Sequence, residues 1–490
     1  MRPLSRREFL NSSAVAATLA AAGSVVDSLP AAEEAAKTAA KKGSANDRLR
    51  VAIVGVKGRG MSHVHGFLNK SLNTEIAVIC DCDEAVIGRA MADTEKSQGK
   101  AARFEKDLRK VMDDKSIDIV TIATPNHWHS LAAIWAIQAG KDVYCEKPVS
   151  HNVSEGRRVV EAARHYNKIC QAGTQSRTNK GMREAIAYVQ SGKIGKVSVA
   201  RGLCYKPRGS IGKVSGPQPI PASIDYNLWC GPAPQNPLMR KSLHYDWHWI
   251  WDYGNGDLGN QGIHEMDKAR WGLGKNTLPN AVVSLGGRFG YVDDGQTANT
   301  QICVYDYGDC ELIFEVRGLP TKDLKGAKVG NIFVGTEGYV VCPSYDSGVV
   351  YDNDGKAVKS FKGGGDHFAN FVQAVRERKK EILNGDIEEG HLSSALCHLG
   401  NVSYRLGTAA PFGSAPQDFA SDKQAADALT RMVEHLKDNK VSSSETGYIV
   451  GRKLTLDPKT ETFIGDGAAQ ANPMLTREYR KGFEVPAKIA

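Results

Sequence analysis

At 490 residues, 41% hydrophobic and 24% charged, the chain is long enough for more than one domain and has the balance of a soluble globular enzyme. Its net charge is +8, of which the first 50 residues carry +3; the remaining +5 is too small and dispersed to indicate a nucleic-acid partner. The ten cysteines sit mostly inside apolar strand-like runs, as buried thiols rather than a disulfide framework. Cys80 and Cys82 are read as a poor metal pair.

The chain opens with Ser5-Arg6-Arg7-Glu8-Phe9-Leu10, followed by a short, weakly apolar run from Ala14 to Val26. This resembles a twin-arginine export signal and implies a periplasmic protein. Ala31 to Asp47 is rich in Ala, Lys and Glu and reads as linker, so residues 1–47 are set aside as signal and linker. Nothing downstream is long and apolar enough to span a membrane.

Residues 49–54 are apolar and β-branched without alternation, the pattern of a strand buried on both faces of a parallel sheet. Gly55, Gly58 and Gly60 follow, then an amphipathic helical run to Leu68. Strand, glycine turn and helix bring backbone N–H groups and a helix N-terminus against a pyrophosphate. A second apolar run, Glu75 to Cys80, ends in Asp81, about 20 residues past the glycines, where the dinucleotide fingerprint has its acid. An Asp there accepts from a ribose 2′-OH and repels a 2′-phosphate, which favours NAD over NADP. The fingerprint wants Gly at Lys57; either Lys57 points away or Gly58 takes over the close approach.

From 48 to 176 strands and helices alternate, predicting a Rossmann, doubly wound parallel sheet. Its strand ends carry Thr124-Pro125-Asn126-His127-Trp128-His129, Glu146-Lys147-Pro148, and Gln175 to Arg177, and ligands bind at such ends. The candidate nucleotide contacts are Gly55, Lys57, Gly58, Arg59, Gly60, Asp81, Thr124, Pro125, Asn126, His129, Glu146, Lys147 and Gln175. With no convergent carboxylate or third His nearby, His127 and His129 are read as one residue flanking the nicotinamide ribose and one capping a helix, with no metal. His63 and His65 read as packing or surface residues.

From 177 to 408 the period changes to strands joined by Gly, Asp and Pro turns, an α+β domain with a large, mostly antiparallel, open-faced sheet. Within it Ile263 to Trp271 is a predicted helix bearing His264, Asp267 and Lys268. Tyr205, Lys206 and Arg208 project from a strand end, and Trp247, Trp249 and Trp251 cluster before the helix. Aromatic planes with a few polar groups suit a sugar, and Arg177, Tyr205, Lys206, Trp251 and His264 are the candidate substrate contacts. Residues 409–490 read as a helical insert and a wrapping tail. An exposed sheet face predicts a homodimer or homotetramer.

Gly55–Gly60, Asp81, the TPNHWH stretch, Glu146-Lys147-Pro148 and the run from Gly254 to Trp271 resemble the glucose–fructose oxidoreductase/inositol dehydrogenase/rhizopine-catabolism (Gfo/Idh/MocA) family over most of residues 49–408. The resemblance implies a hydride transfer between NAD and a carbohydrate or cyclic polyol. It also implies a lysine, Lys147, beside the nicotinamide, often followed by a cis peptide. Family members share base work among this lysine, an Asp and a His; those positions here are Lys147, Asn260 and His264. Asn does not titrate, so that triad is incomplete. His264 or a desolvated Lys147 would be the base, and Asp257 or Asp267 would orient the histidine. Two further readings use the same scaffold: an NAD-dependent glycosidase working by transient oxidation, elimination and re-reduction, and a non-catalytic nucleotide-binding sugar sensor.

Overall fold

The computed structural model describes residues 47–442 and 447–489, so the twin-arginine pattern and most of the linker lie outside the described residues. β1 (Leu49–Val54), β2 (Thr74–Cys80), β3 (Arg103–Glu105), β4 (Ile119–Ile122), β5 (Asp142–Cys145) and β6 (Cys170–Ala172) form one sheet in the order β3-β2-β1-β4-β5-β6. Every pair is parallel, as the alternation predicts. β3 is the strand that the pattern did not signal: three residues at the sheet edge, charged at both ends.

Helix α1 (Gly60–Phe67) follows the glycine turn. α2 (Asn126–Gln138) begins inside the TPNHWH stretch at the end of β4. Pro125 makes the entrance: its ring fixes φ at −59° and it has no N–H to leave unpaired. Asn126 to His129 therefore occupy a buried first turn, not a loop. The sheet is closed by distant segments. Phe368, Phe371 and Val372 of the helix His367–Glu377 join Val51, Ile53 and Phe67 on one face. Phe483 and Val485 of the tail join Val54, Leu131 and Ile134 on the other.

The second sheet comprises β7 (Val197–Tyr205), β8 (Ala281–Gly287), β9 (Thr300–Asp306), β10 (Glu311–Arg317), β11 (Val329–Gly335), β12 (Tyr339–Cys342), β13 (Ser347–Tyr351), β14 (Ala357–Lys362), β15 (Thr408–Pro411) and β16 (Gly447–Val450). Their order is β14-β13-β12-β11-β7-β10-β9-β8-β16-β15. β17 (Leu454–Asp457) adds to β8, and β18 (Thr462–Ile464) to β17. All pairs are antiparallel except β7 with β10. One face packs on α3 (Gly256–Asn260), α4 (Gly262–Gly272) and α5 (Ile387–Arg405), with Phe314 and Phe333 against Ile263, Met266 and Leu396. The stretch 409–490 is thus not only a helical insert and tail; it supplies strands to this sheet.

Nor is the sheet open-faced. α6 (Lys423–Asp438), capped by Asp422 on Ala425 N, lies on the other face. Its buried positions Ala425, Ala428, Leu429, Met432 and Leu436 fall on one helical stripe. They cover Val199, Val283, Leu285, Ile302, Val304 and Ile313. At its side Glu315 accepts from Arg201, Arg317, Arg431 and Tyr205 Oη, all at 2.7–3.1 Å. Burial pushes this carboxyl up, but Arg317, Arg431 and Arg201 outweigh it and hold it at about 2. The homodimer or homotetramer expectation rested on a bare face, and α6 covers the β7–β10 part of that face.

Candidate functional site

A cleft of about 500 Å³ runs along the carboxyl ends of the first sheet. Its floor is Gly55, Lys57, Gly58, Arg59, Asp81, Thr124, Pro125, Asn126, His129, Glu146 and Lys147, with Asn260 at the inner end. These are predicted site residues, brought together by strand ends that are adjacent only in the folded sheet. Gly55 holds φ at 84°, and a Cβ on Gly60 would lie 1.8 Å from Gly55 O, so both glycines are required for β1 to turn into α1. A Cβ on Gly58 would touch no protein atom, which leaves its place open to a ligand; Lys57 is exposed. Asp81 accepts from Val56 N at 2.9 Å and from Asp83 N at 3.0 Å. Burial raises its pKa, and those two N–H groups oppose the rise. Thr124 Oγ1 is buried in the wall without a partner. A long groove with a glycine cradle at one end, an acid at the second strand and an unmet hydroxyl between fits a dinucleotide.

Glu146 anchors the centre. It accepts from Arg59 Nε at 2.8 Å, His63 Nε2 at 3.1 Å and Gln175 Nε2 at 3.3 Å. Burial alone would raise it; Arg59 and His63 pull it well below the usual carboxylate range. His63 is therefore not mere packing: it braces the residue beside Lys147. Gln175 acts through Glu146 rather than lining the cleft. Lys147 precedes a cis peptide to Pro148, as the resemblance implies. Its Nζ donates to Asn260 O at 2.8 Å, and burial lowers its pKa against the opposing pull of Glu146. Asn260 thus contributes a carbonyl where an acid was expected.

His264 is buried, with Nδ1 unpartnered and its ring 4.8 Å from that of Tyr345. Burial and then Lys147 hold it well below its usual pKa, so it is neutral. Neither expected acid orients it. Asp257 pairs with Arg208 at 2.7 and 2.8 Å; Asp267 pairs with Arg177 at 2.8–3.0 Å and accepts from Ser393. Three substrate candidates are displaced as well. Arg177 is locked between Asp267 and Glu389, under Trp271. Tyr205 alternates to the opposite face of β7 and donates to Glu315. Trp251 lies beneath Arg405, outside the cleft. Lys206 stays near, donating to Gln261 Oε1 at 3.1 Å. Of the paired histidines, His129 lines the cleft and bonds Thr124 O and Pro148 O, whereas His127 packs beneath, bonded to Trp229 O.

The sequence reading missed the roof. Residues 206–255 cross back over the cleft, and Trp229, His244, Tyr245, Trp247 and His248 line it from above. This strap is tied down by His244 Nε2 on Asp83 Oδ2 at 2.8 Å, Glu84 N on Ser223 O at 3.1 Å and Asp225 N on Cys82 O at 3.0 Å. Tyr245 holds φ at 70°, a strained state for an aromatic residue, with Arg208 donating to its phenol at 2.7 Å. His248 stacks on Trp247 at 3.6 Å, and burial brings it to about 3. The tail fastens the strap from outside: Arg480 bonds Asn227 O, Gly231 O, Asn227 Oδ1 and Gln235 Oε1, and Arg477 bonds Asp252 O. The strap has no periodicity; its tryptophans were its only signal.

Comparison with known proteins is consistent with this geometry. Residues 49–174 match the family model described as oxidoreductase family, NAD-binding Rossmann fold. Residues 188–439 match the oxidoreductase family, C-terminal alpha/beta domain of the same series. An inositol 2-dehydrogenase of Salmonella typhimurium is 30% identical over 181 residues, 37% of this chain and 52% of the relative. A levoglucosan dehydrogenase of Pseudarthrobacter phenanthrenivorans is 30% identical over 200 residues, 40% of this chain and 44% of the relative. A glycosyl hydrolase family 109 protein of Shewanella sp. is 34% identical over 128 residues, 25% of this chain and 28% of the relative. The chain thus spans about half the length, or less, of the curated relatives it matches. Among solved structures, a levoglucosan dehydrogenase in complex with NADH and levoglucosan superposes with a TM-score of 0.54 at 19% identity, over 72% of this chain and 97% of that one.

Proposed function

The chain belongs to the Gfo/Idh/MocA oxidoreductase family, and from that premise we propose that it moves a hydride between NAD and a secondary alcohol of a carbohydrate or cyclic polyol. The observation that carries this is Lys147 at the inner end of the nucleotide cleft, desolvated and held by Asn260 O, with neutral His264 nearby. The Gly55–Gly60 turn would hold the pyrophosphate, Asp81 the adenosine ribose, and Thr124, Asn126, His129 and Glu146 the nicotinamide half. Bound NAD supplies the hydride acceptor. Lys147 Nζ, in its neutral form, takes the hydroxyl proton as the C–H bond breaks, and Asn260 O receives one N–H of the resulting ammonium. His264 remains neutral and hydrogen-bonds substrate rather than carrying the proton, because no carboxylate stands at Nδ1. Trp247 and His248 offer stacked planes to a sugar face.

A second reading, the NAD-dependent glycosidase, is favoured by one observation: the strap and tail roof the cleft, which suits a nucleotide that stays and is restored in place. The twin-arginine pattern supports export to the periplasm, where a retained nucleotide needs no free pool. Purified protein incubated with aldoses, inositols and glycosides tests both readings. Net NADH formation that Lys147→Met abolishes supports dehydrogenation; glycoside cleavage without NADH release supports the second. A protein that binds NAD but does neither, for any substrate of these classes, would sink both. A reporter fused behind residues 1–47 that stays in the cytoplasm would refute export.

A further inference from the structure

Position 260 lacks an acid, and the acids around it are committed elsewhere: Asp257 to Arg208, Asp267 to Arg177, Glu146 to Arg59, His63 and Gln175. One carboxylate in this region is left over. Glu265, one residue past His264 on α4, is wholly buried. Its Oε1 has no hydrogen-bond partner and lies 3.6 Å from Lys268 Nζ; its Oε2 accepts only a long 3.4 Å bond from Gln261 Nε2. A buried carboxylate so poorly satisfied is costly unless its charge is used. Gln261 sits one turn before it and also donates to Tyr345 Oη at 2.8 Å and accepts from Lys206 Nζ at 3.1 Å. Lys147 Nζ ends on the carbonyl of residue 260, directly before Gln261.

We propose that Glu265 is a positioning residue for the reaction: acting across Gln261, it sets the proton affinity of Lys147. The proposal rests on the reading of Lys147 as the base. It supplies from position 265 the negative charge that position 260 cannot. The charged groups facing Lys147 are Glu146, Arg59, Glu265 and Lys206, and the neutral imidazoles of His129, His248 and His264 also stand around it; burial, Arg59 and Lys206 lower its affinity, and Glu146 and Glu265 raise it. The groups facing Glu265 are Lys268, Gln261 and Lys147, with Tyr345 behind Gln261; burial brings Glu265 to about 7 against their pull. The two sites titrate as a coupled pair, so Lys147 holds its proton more firmly as Glu265 ionises.

Trace acetylation of Lys147 with acetic anhydride across pH 6–10, read by peptide mass spectrometry, reports this ionisation whether or not the protein turns over a sugar. In Glu265→Gln the labelling midpoint falls by about 1 unit, and in charge-preserving Glu265→Asp it stays near wild type. The acidic limb of kcat/KM for alcohol oxidation moves down with it. A folded, NADH-binding Glu265→Gln with an unchanged midpoint overturns the proposal. If that variant does not fold, Lys268→Met decides: Glu265 then stays protonated to higher pH, so Lys147 labels faster than wild type near neutrality, and an unchanged rate refutes the coupling. A shifted midpoint in a protein that oxidises no alcohol would retain the coupling and discard the assigned reaction.

Discussion

If the strap gates the nucleotide, cutting its fastening to the tail must speed release. Arg480 is the place to cut, because its guanidinium makes four hydrogen bonds to the strap: Asn227 O and Gly231 O at 3.1 Å, Gln235 Oε1 at 2.9 Å, and Asn227 Oδ1. Hydrogen bonds of this kind contribute about 0.5–1.5 kcal/mol each, and water replaces part of that at a half-exposed site, leaving about 2 kcal/mol for the set. Arg480→Ala shifts the opening equilibrium by that amount, about 30-fold. On this reading a nucleotide held between the glycine turn below and Trp247 and His248 above leaves as the strap lifts. The dissociation rate of NADH, followed by stopped-flow fluorescence with excess NAD as the chase, is expected to rise by about the same factor. The chemistry at Lys147 is untouched, so single-turnover hydride transfer is expected to stay at the wild-type rate. An unchanged dissociation rate in a folded variant would refute gating by the strap.

Three other outcomes follow from the geometry. Gly60→Ala places a methyl 1.8 Å from Gly55 O and should abolish NAD binding and lower Tm, whereas Gly58→Ala meets no protein atom and should leave Tm unchanged while weakening NAD in calorimetry; equal affinity in Gly58→Ala would show that Gly58 is not the close approach. Glu315 is held at about 2 against an ordinary 4.5. Its ionised form therefore contributes on the order of 3 kcal/mol above pH 4.5, lost as pH falls through 2. Glu315→Gln should be less stable in urea at pH 7 by at least that amount, with the gap closing in acid; a gap independent of pH would refute the assignment. Excision of residues 412–442 uncovers Val283, Leu285, Ile302, Val304 and Ile313 and should drive self-association in light scattering; an unchanged molar mass would mean that the face needs no cover.

Sequence alone determined five of the six strands of the first sheet and which residues stand at their carboxyl ends. Strands buried on both faces need unbroken apolar runs, a β–α turn over a phosphate needs glycine, and strand ends are adjacent by topology, so Gly55, Asp81, Thr124, Glu146 and Lys147 could be assigned to one cleft from their order in the chain. It also exposed the missing acid at 260, since that depends only on which side chain is there. What it could not decide was partnership between distant residues. Arg177, Tyr205 and Trp251 have the right chemistry for sugar binding, but Asp267, Glu315 and Arg405 claim them, and those partners lie 90 or more residues away. The strap has no period to read because its shape is set by the surface that it covers. The bare sheet face disappeared for a similar reason: α6 is legible as an amphipathic helix, but only the packed chain decides which apolar surface its stripe meets. Local propensity and alternation are written along the chain; pairing and cover are written between segments, where burial is settled by whichever surfaces fit.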